Sequence, residues 1–562
     1  MISRQLRDIT DITDTGSPSR TLIHQSLEQK AAVYPSKPAV LYKHTFVTYA
    51  ELNSAANRIA HTLVEAGLRR GQRVGIYLPN SIEMAQAVFG VLKAGGVFVP
   101  INRETKPSKL ENILADCGAV ALVTGETGYR AVQGNLRNLP SLTAVISTEP
   151  LPDPPQHLSY MTFEEIFGRG EVDPPPVGIR DPDLACLIYT SGSTGIRKGV
   201  VCGHNNVAFA ADAIISYLEN TADDRVINVL PFSFDYGLYQ LLMTVRFGGT
   251  LVVACGFICV ASVLRTIERY KITGFPLIPS LASMLLKHNL QGYDLSSLRY
   301  ITSTAAALPP SHLGQLQALL PHVRIFSMYG MTECKRTLYL PPDRTRDKPR
   351  SVGIPIPGTE VWVEGPGGRR CGPGEVGELV VRGTHVMRGY WNDPELTEKY
   401  FRADPKSGAR LLYSNDLFRT DEDGFYYFVA RRDDIIKSRG GKVAPKEVEA
   451  VLCEHSQVIE AAVIGVPDAA LGAAIVAVAV SCAAAPSEDE LWRHCADRLE
   501  SYMVPHRILF ADTLPRTSNG KIDKQKLSMM DILPAMGRTE AGAAQDDESA
   551  TRKPAAERQL SV

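Results

Sequence analysis

Residues 189–199, Tyr-Thr-Ser-Gly-Ser-Thr-Gly-Ile-Arg-Lys-Gly, gather hydroxyls, glycines and one lysine into a single short stretch. Glycines let backbone N–H groups come close to an anion, the hydroxyls of Thr190, Ser191, Ser193 and Thr194 donate, and Lys198 supplies charge. The chemistry is that of holding a polyphosphate. A Walker A loop needs Gly-Lys-Ser/Thr at a fixed distance from its first glycine. Counting five on from Gly192 reaches Arg197, and Gly199 follows Lys198, so the spacing fails and a P-loop kinase or ATPase is disfavoured. Alone, such a stretch reads equally well as a surface turn.

The surrounding elements must position it. Residues 184–188 are an apolar run that predicts a buried strand, and Val200-Val201 predicts the return strand. Upstream, Thr48-Tyr-Ala-Glu51 has the pattern of a capping box and Gly67 suits the position after that helix. A strand at 73–78, a helix at 84–94 and strands at 97–101, 119–123 and 143–146 follow. Such alternation predicts βαβ units and parallel sheets. The Pro-rich residues 150–176 read as a surface connection. Strands are expected at 225–231, 250–253, 274–278, 298–301 and 323–326, with a small-residue turn at 303–307. From about residue 352 the texture becomes short β segments with Gly/Pro turns. A compact α+β tail domain holds a helix opened by Pro445, strands at 461–464 and 473–480, a helix at 488–499 and a turn at 517–521.

The fold class is therefore α/β: a large N-terminal domain of βαβ-type sheets plus a β-rich subdomain, with a small mobile α+β C-terminal domain. The expected boundaries are a flexible lead-in at 1–20, a main domain at 21–430, a hinge at 431–434, a small domain at 435–530 and a disordered tail at 531–562. No internal repeat is evident.

At 562 residues, with 44% hydrophobic and 22% charged residues, the composition is that of an ordinary soluble globular protein. A net charge of −1 offers no basic footprint for nucleic acid. The ten cysteines are scattered, and the closest pair, Cys255 and Cys259, is not a C-x-x-C. With no apolar leader and no run approaching the ~18 apolar residues of a membrane span, the expectation is a cytoplasmic protein with reduced thiols.

Further motifs settle what the phosphate loop belongs to. In order along the chain stand Met328-Tyr-Gly-Met-Thr-Glu333, Tyr413-Ser-Asn-Asp416, Arg431-Arg-Asp433 and Asn519-Gly-Lys521. With residues 189–199 this series resembles the adenylate-forming superfamily, which includes acyl-CoA synthetases, peptide-synthetase adenylation domains and beetle luciferases. The resemblance covers about residues 20–530. It implies that Thr190, Ser191, Gly192, Ser193, Thr194, Gly195 and Lys198 bind ATP phosphates, with Ala305, Ala306, Tyr329 and Gly330 at the nucleotide. Thr332 would meet a phosphate and Glu333 would hold Mg²⁺ through oxygen. Asp416 would accept the ribose hydroxyls, Arg431 would contact ribose or phosphate, and Asp433 would be the pivot of the small domain. Lys521 would stabilise charge as the adenylate forms, and Gly440 and Gly441 would admit a thiol acceptor. Three departures stand out: Arg197 where proline is common, Asn415 in place of glycine, and alanines at 305–307 where adenine-contacting segments often have glycine.

The implied reaction joins a carboxylate to ATP as an acyl-adenylate and then passes the acyl group to a pantetheine thiol, either CoA or a separate carrier protein. Phe234, Asp235, Tyr239 and Arg336 are the expected acid pocket. Three readings of Asp235 stay open: it anchors a substrate ammonium, it is neutralised by Arg336 (which could instead pair with a second carboxylate), or it caps a helix beginning near Gly237. The first favours a stand-alone amino acid adenylation enzyme; the others favour an acyl-CoA ligase of secondary or lipid metabolism. A nucleotide-binding scaffold is opposed by the retention of Glu333, Asp416 and Lys521, and nothing points to a luciferin.

Overall fold

The computed structural model describes residues 22–170, 173–191, 197–254, 259–438, 441–468, 471–482, 486–517 and 521–529. The lead-in at 1–20, the tail at 531–562, and Gly192, Ser193, Thr194, Gly195 and Gly440 lie outside the described residues. The chain divides into two compact units. The first ends at Asp434 and takes in Arg516–Lys521, so this segment groups with it rather than with the tail domain; the second begins at Ile435.

The described residues of the first unit form three sheets. The nine-stranded sheet runs, in spatial order, Ile354–Pro355, Leu338–Leu340, Arg324–Tyr329, Tyr300–Ser303, Gly274–Leu277, Arg225–Asn228, Thr250–Val253, Pro38–Tyr42 and Thr45–Thr48. Its six central strands are parallel, and antiparallel strands finish both edges. The seven-stranded sheet runs Ser159–Thr162, Ala144–Ser147, Ala121–Thr124, Arg73–Tyr77, Val97–Pro100, Leu184–Ser191 and Arg197–Gly203. It is parallel except for the last hairpin, in which Thr190 lies opposite Lys198.

The helix Ile82–Lys93 is buried along its length except at Glu83, because apolar residues dominate its sequence. It touches Pro38–Tyr42 of one sheet and Arg73–Tyr77 and Val97–Pro100 of the other, so it is a layer between them. The capping box at Thr48 is formed: Thr48 Oγ1 accepts from Glu51 N–H, and Glu51 returns the bond to Thr48 N–H. The third sheet is antiparallel, with strands Glu360–Glu364, Gly377–Arg382, Arg410–Thr420, Phe401–Ala403 and Tyr426–Arg431.

The second unit pairs Ile436–Ser438 with Gly441–Val443 and builds a three-stranded sheet from Val458–Asp468, Gly472–Ser481 and Arg507–Phe510. The helices Pro445–Leu452, Glu488–Ala496 and Lys524–Ser528 belong to it. A Cβ on Gly441 would fall 2.5 Å from the Tyr502 ring, so only glycine fits there.

Several expectations change. The connection 150–176 contains an edge strand and the short helix Phe163–Phe167, which has its own Thr162–Glu165 capping box. Ser303 ends a strand instead of opening the turn. The eleven-residue strand Arg410–Thr420 has no counterpart among the strands expected from the sequence. Finally, the helix near Gly237 starts at Asp235, its N-cap is Phe234, and no side-chain cap hydrogen bond is made. Asp235 is therefore not a capping residue.

That helix, Asp235–Phe247, is buried at every side chain but Arg246. Gly237 lets it approach the preceding loop: a Cβ there would sit 2.3 Å from the Pro231 carbonyl oxygen and 2.8 Å from that of Leu230. Gly237→Ala should displace the helix and cost about 1–3 kcal/mol, the usual range for overpacking a filled core. A urea-unfolding midpoint equal to the parent's would show that the loop yields freely.

Candidate functional site

Asp416 lies in the middle of the strand Arg410–Thr420, opposite Arg431 on the neighbouring strand. Its side chain is only 4% exposed. One carboxylate oxygen accepts from Tyr329 Oη at 2.6 Å, and the other lies 3.3 Å from Arg431 Nε. Its backbone N–H donates to Ser414 Oγ, which in turn donates to the Leu379 carbonyl. Burial raises the Asp416 carboxyl above the ordinary range, although Arg431, Tyr329 and Lys521 pull the other way. Desolvation likewise raises the Tyr329 phenol.

The residue before it explains the local shape. Asn415 has φ of +60°, and the pairing slips between Leu417 and Phe418. Asn tolerates this left-handed conformation better than most residues, which makes it a reasonable replacement for glycine. Its N–H donates to Glu378, and its side-chain amide donates to Asp433 Oδ2 at 2.8 Å. Asp433 is exposed within the short 3₁₀ turn Arg432–Asp434.

Around the phosphate hairpin, Thr190 and Lys198 are half-buried; Ser191 ends the first strand and Arg197 starts the second. The Lys198 ammonium lies 5.8 Å from the Tyr390 ring centroid and 6.0 Å from that of Tyr400. Tyr390 Oη donates to Glu333 Oε1 at 2.6 Å. The segment carrying Tyr390 is hydrogen-bonded to the return strand at Gly199 and Val201. One tyrosine thus brings Glu333 and Lys198 to the same spot. Thr332 is half-buried in the turn beside it.

That turn begins at Gly330, where a Cβ would lie 1.6 Å from the Lys335 carbonyl oxygen. Lys335 itself has φ of +54°. The next residue, Arg336, is 3.9 Å from Asp235, with both side chains under 10% exposed. Its guanidinium sits 4.5 Å from the Tyr236 ring centroid, while Lys335 Nζ is 5.5 Å from that of Tyr239. Phe234, half-buried, meets Tyr236 edge to face. Asp235 is thus paired internally, the second of the three possibilities the sequence leaves open. Ala305, with φ of +76°, is half-buried and Ala306 exposed.

Lys521 completes the cluster. The residue as a whole is exposed, yet desolvation of its ammonium and the nearby Arg431 lower its pKa, against Asp235, Asp416 and Glu333, which raise it. Thr517 N–H donates to its carbonyl at 2.8 Å. Carboxylates from three places in the chain act on this one cation.

Two family models match this arrangement: AMP-binding enzyme over residues 27–391, and AMP-binding enzyme C-terminal domain over residues 447–521. The chain belongs to the AMP-binding enzyme family. It is 32% identical over 541 residues to one protein of the linear gramicidin synthase of Brevibacillus parabrevis, covering 95% of this chain but 6% of that protein. It is 30% identical to the L-proline–[L-prolyl-carrier protein] ligase of Pseudomonas fluorescens, covering 90% of this chain and 99% of that one. Among solved structures, the anthranilate CoA ligase AuaEII in complex with anthranoyl-AMP superimposes with a TM-score of 0.82 at 28% identity, over 91% of this chain and 98% of that one.

Within this member of the AMP-binding enzyme family, two side chains escape detection from the sequence. Tyr390 sits in an unremarked Gly-Tyr-Trp segment, and no spacing ties it to Glu333, 57 residues away. Lys335 is buried between two residues that are noticed; a lysine directly after a Thr-Glu-Cys turn is the available signal.

Asp416 also makes a testable demand on stability. Its folded pKa exceeds its unfolded one, so its contribution is fully present below the unfolded value and is lost as pH rises through the folded value. Asp416→Asn keeps an acceptor for Tyr329 while removing the titration. Without nucleotide, the variant should gain stability relative to the parent as pH rises from about 3 to 6, the range in which carboxylates ionise. Parallel urea midpoints across that range would contradict the buried-carboxylate account.

Proposed function

We propose that this chain is an AMP-forming acid–thiol ligase, most directly an acyl-CoA ligase. The observation that carries the reading is the Asp416–Tyr329–Arg431 group, with Lys521 under the electrostatic influence of Asp235, Asp416 and Glu333. A carboxylate accepting from one hydroxyl has acceptor capacity left for two vicinal ribose hydroxyls. Lys521, a cation on which Asp235, Asp416 and Glu333 act electrostatically, suits the charge that develops between an attacking carboxylate and the α-phosphate.

In the first half-reaction a carboxylate oxygen attacks the α-phosphorus of ATP, the bond to the bridging oxygen breaks and pyrophosphate leaves. In the second, a thiol loses its proton, its sulfur attacks the acyl carbon, and AMP departs with the bonding pair. Thr190 and Lys198, with Ser191, Gly192, Ser193, Thr194 and Gly195, would hold the departing phosphates. Ala305, Ala306, Tyr329 and Gly330 would border the nucleotide, and Thr332 would reach a phosphate. Asp433 would be the pivot between the half-reactions, and Gly440 and Gly441 would admit the thiol acceptor.

Magnesium fits the residues present. Mg²⁺ commonly uses one or two carboxylates together with substrate phosphates. Glu333, with one oxygen engaged by Tyr390, would be that carboxylate, and the ion would neutralise phosphate charge.

The internal pairing of Asp235 favours an acyl substrate over an amino acid. A carboxylate already facing Arg336 and Lys335 has less need of a substrate ammonium. The alternative, amino acid loading onto a separate carrier protein, draws support from the prolyl-carrier ligase relative. The described residues contain no helix long and apolar enough to cross a membrane, and we place the enzyme in the cytoplasm.

The test is acid-dependent pyrophosphate release from ATP, using amino acids and matched acids without the amino group. Des-amino acids should react at least as well as amino acids; release confined to amino acids would favour the carrier-loading alternative. Lys521→Ala should abolish release while sparing thioester formation from supplied acyl-adenylate. Survival of the first step in that variant would remove Lys521 from the role given it here.

A further inference from the structure

The polar side chains around Asp235 do not balance. Lys335 is 1% exposed, and its Nζ has no hydrogen-bond partner among the described residues. The Oη of Tyr239, 2% exposed, has none either. The two lie together, since Lys335 Nζ is 5.5 Å from the Tyr239 ring centroid. Both face the same neighbours: Asp235, Arg336 and the fully buried thiols Cys186 and Cys202. Unpartnered donors at such burial are rare in folded proteins, and each carries a desolvation penalty.

The charges present give the sign of what is missing. Lys335 and Arg336 contribute two positive charges, and Asp235, 3.9 Å from Arg336, contributes one negative. Glu333 is turned to Tyr390 and does not complete the balance. Nor is the lysine loose packing. Its backbone is held in the left-handed region at φ +54°, and its carbonyl occupies the space that a Cβ on Gly330 would need. Strain held at a buried charge is characteristic of a functional position.

We propose that the acid activated by this chain carries a second carboxylate, and that Lys335 Nζ and Tyr239 Oη receive it. The proposal rests on the ligase reading and specifies its substrate class as dicarboxylic acids. One added carboxylate brings Asp235, Lys335, Arg336 and the ligand to neutrality and gives each unpartnered donor an acceptor. A hydroxyl would satisfy the donors but leave the charge. An ammonium would worsen it.

A rival source of negative charge lies within the protein. Desolvation raises Cys202, but a hydrogen bond from Cys186 and the Lys335 ammonium bring it below the ordinary thiol value. A Cys202 thiolate would supply the counter-charge without any ligand, so the test includes its removal.

The experiment measures kcat/KM for pyrophosphate release with the full chain, ATP and chain-length-matched sets of a dicarboxylic acid, its half-amide and the monocarboxylic acid ending in methyl. The parent should prefer the diacid by about 10⁴-fold, the scale on which a site built for a polar group rejects an analogue lacking it. Lys335→Met should collapse that ratio, mainly through KM, and Tyr239→Phe should reduce it; Cys202→Ala should retain it. Calorimetric binding of the diacid to the parent but not to Lys335→Met is the second readout, and a urea midpoint for each variant verifies folding. Equal use of the three acids by the parent, an unchanged ratio in Lys335→Met, or loss of the ratio in Cys202→Ala would overturn the proposal. If no acid releases pyrophosphate, the ligase reading fails, whereas diacid binding that depends on Lys335 would still uphold the anion site.

Discussion

A single buried carboxylate joins the two kinds of sheet in the first unit. Asp416 belongs to the antiparallel sheet, and the phenol that donates to it ends a parallel strand of the nine-stranded sheet. Arg431, across the strand pair, supplies the opposite charge. A carboxylate so far from water is costly unless its oxygens are satisfied, so the position of each sheet edge is constrained by the need to meet it. Asn415 makes the geometry possible by taking the left-handed conformation just before it. Its amide also ties Asp433 to the same strand, so the departure from glycine adds a hydrogen bond where the chain leaves the first unit.

Most of this architecture was legible because the relevant residues sit where apolar runs end. Residues 184–188 and 323–326 announce buried strands, and the polar residues after them are visible as interruptions. The strand holding Asp416 was not legible, for a physical reason. Its burial alternates, so polar residues recur along it, and Asn-Asp in its centre is a turn signal that the αL residue and the bulge absorb. The role of Asp235 was equally hidden. Its partner stands 101 residues later, and local sequence offered a helix cap as readily as a salt bridge. Pairings of that range depend on how strands are ordered in the sheet, which spacing along the chain does not encode.

The turn from Gly330 to Arg336 shows how little backbone is needed to separate two chemistries. Gly330 has no Cβ, which allows the Lys335 carbonyl to fold back upon it, and Lys335 takes a positive φ to close the turn. With the backbone so fixed, Glu333 meets Tyr390 and hence the surroundings of Lys198, while Lys335 and Arg336 lie among Asp235, Tyr236 and Tyr239. The carboxylate is thus directed towards Tyr390 and Lys198, and the cations towards Tyr239 and Asp235. An extended strand through the same residues would alternate side chains between faces and could not group Lys335 and Arg336 against Glu333. The charge around Asp235 is therefore a consequence of turn geometry as much as of residue choice. Exchanging either cation for a neutral residue would change the charge around Asp235 while leaving the Glu333–Tyr390 side of the turn in place.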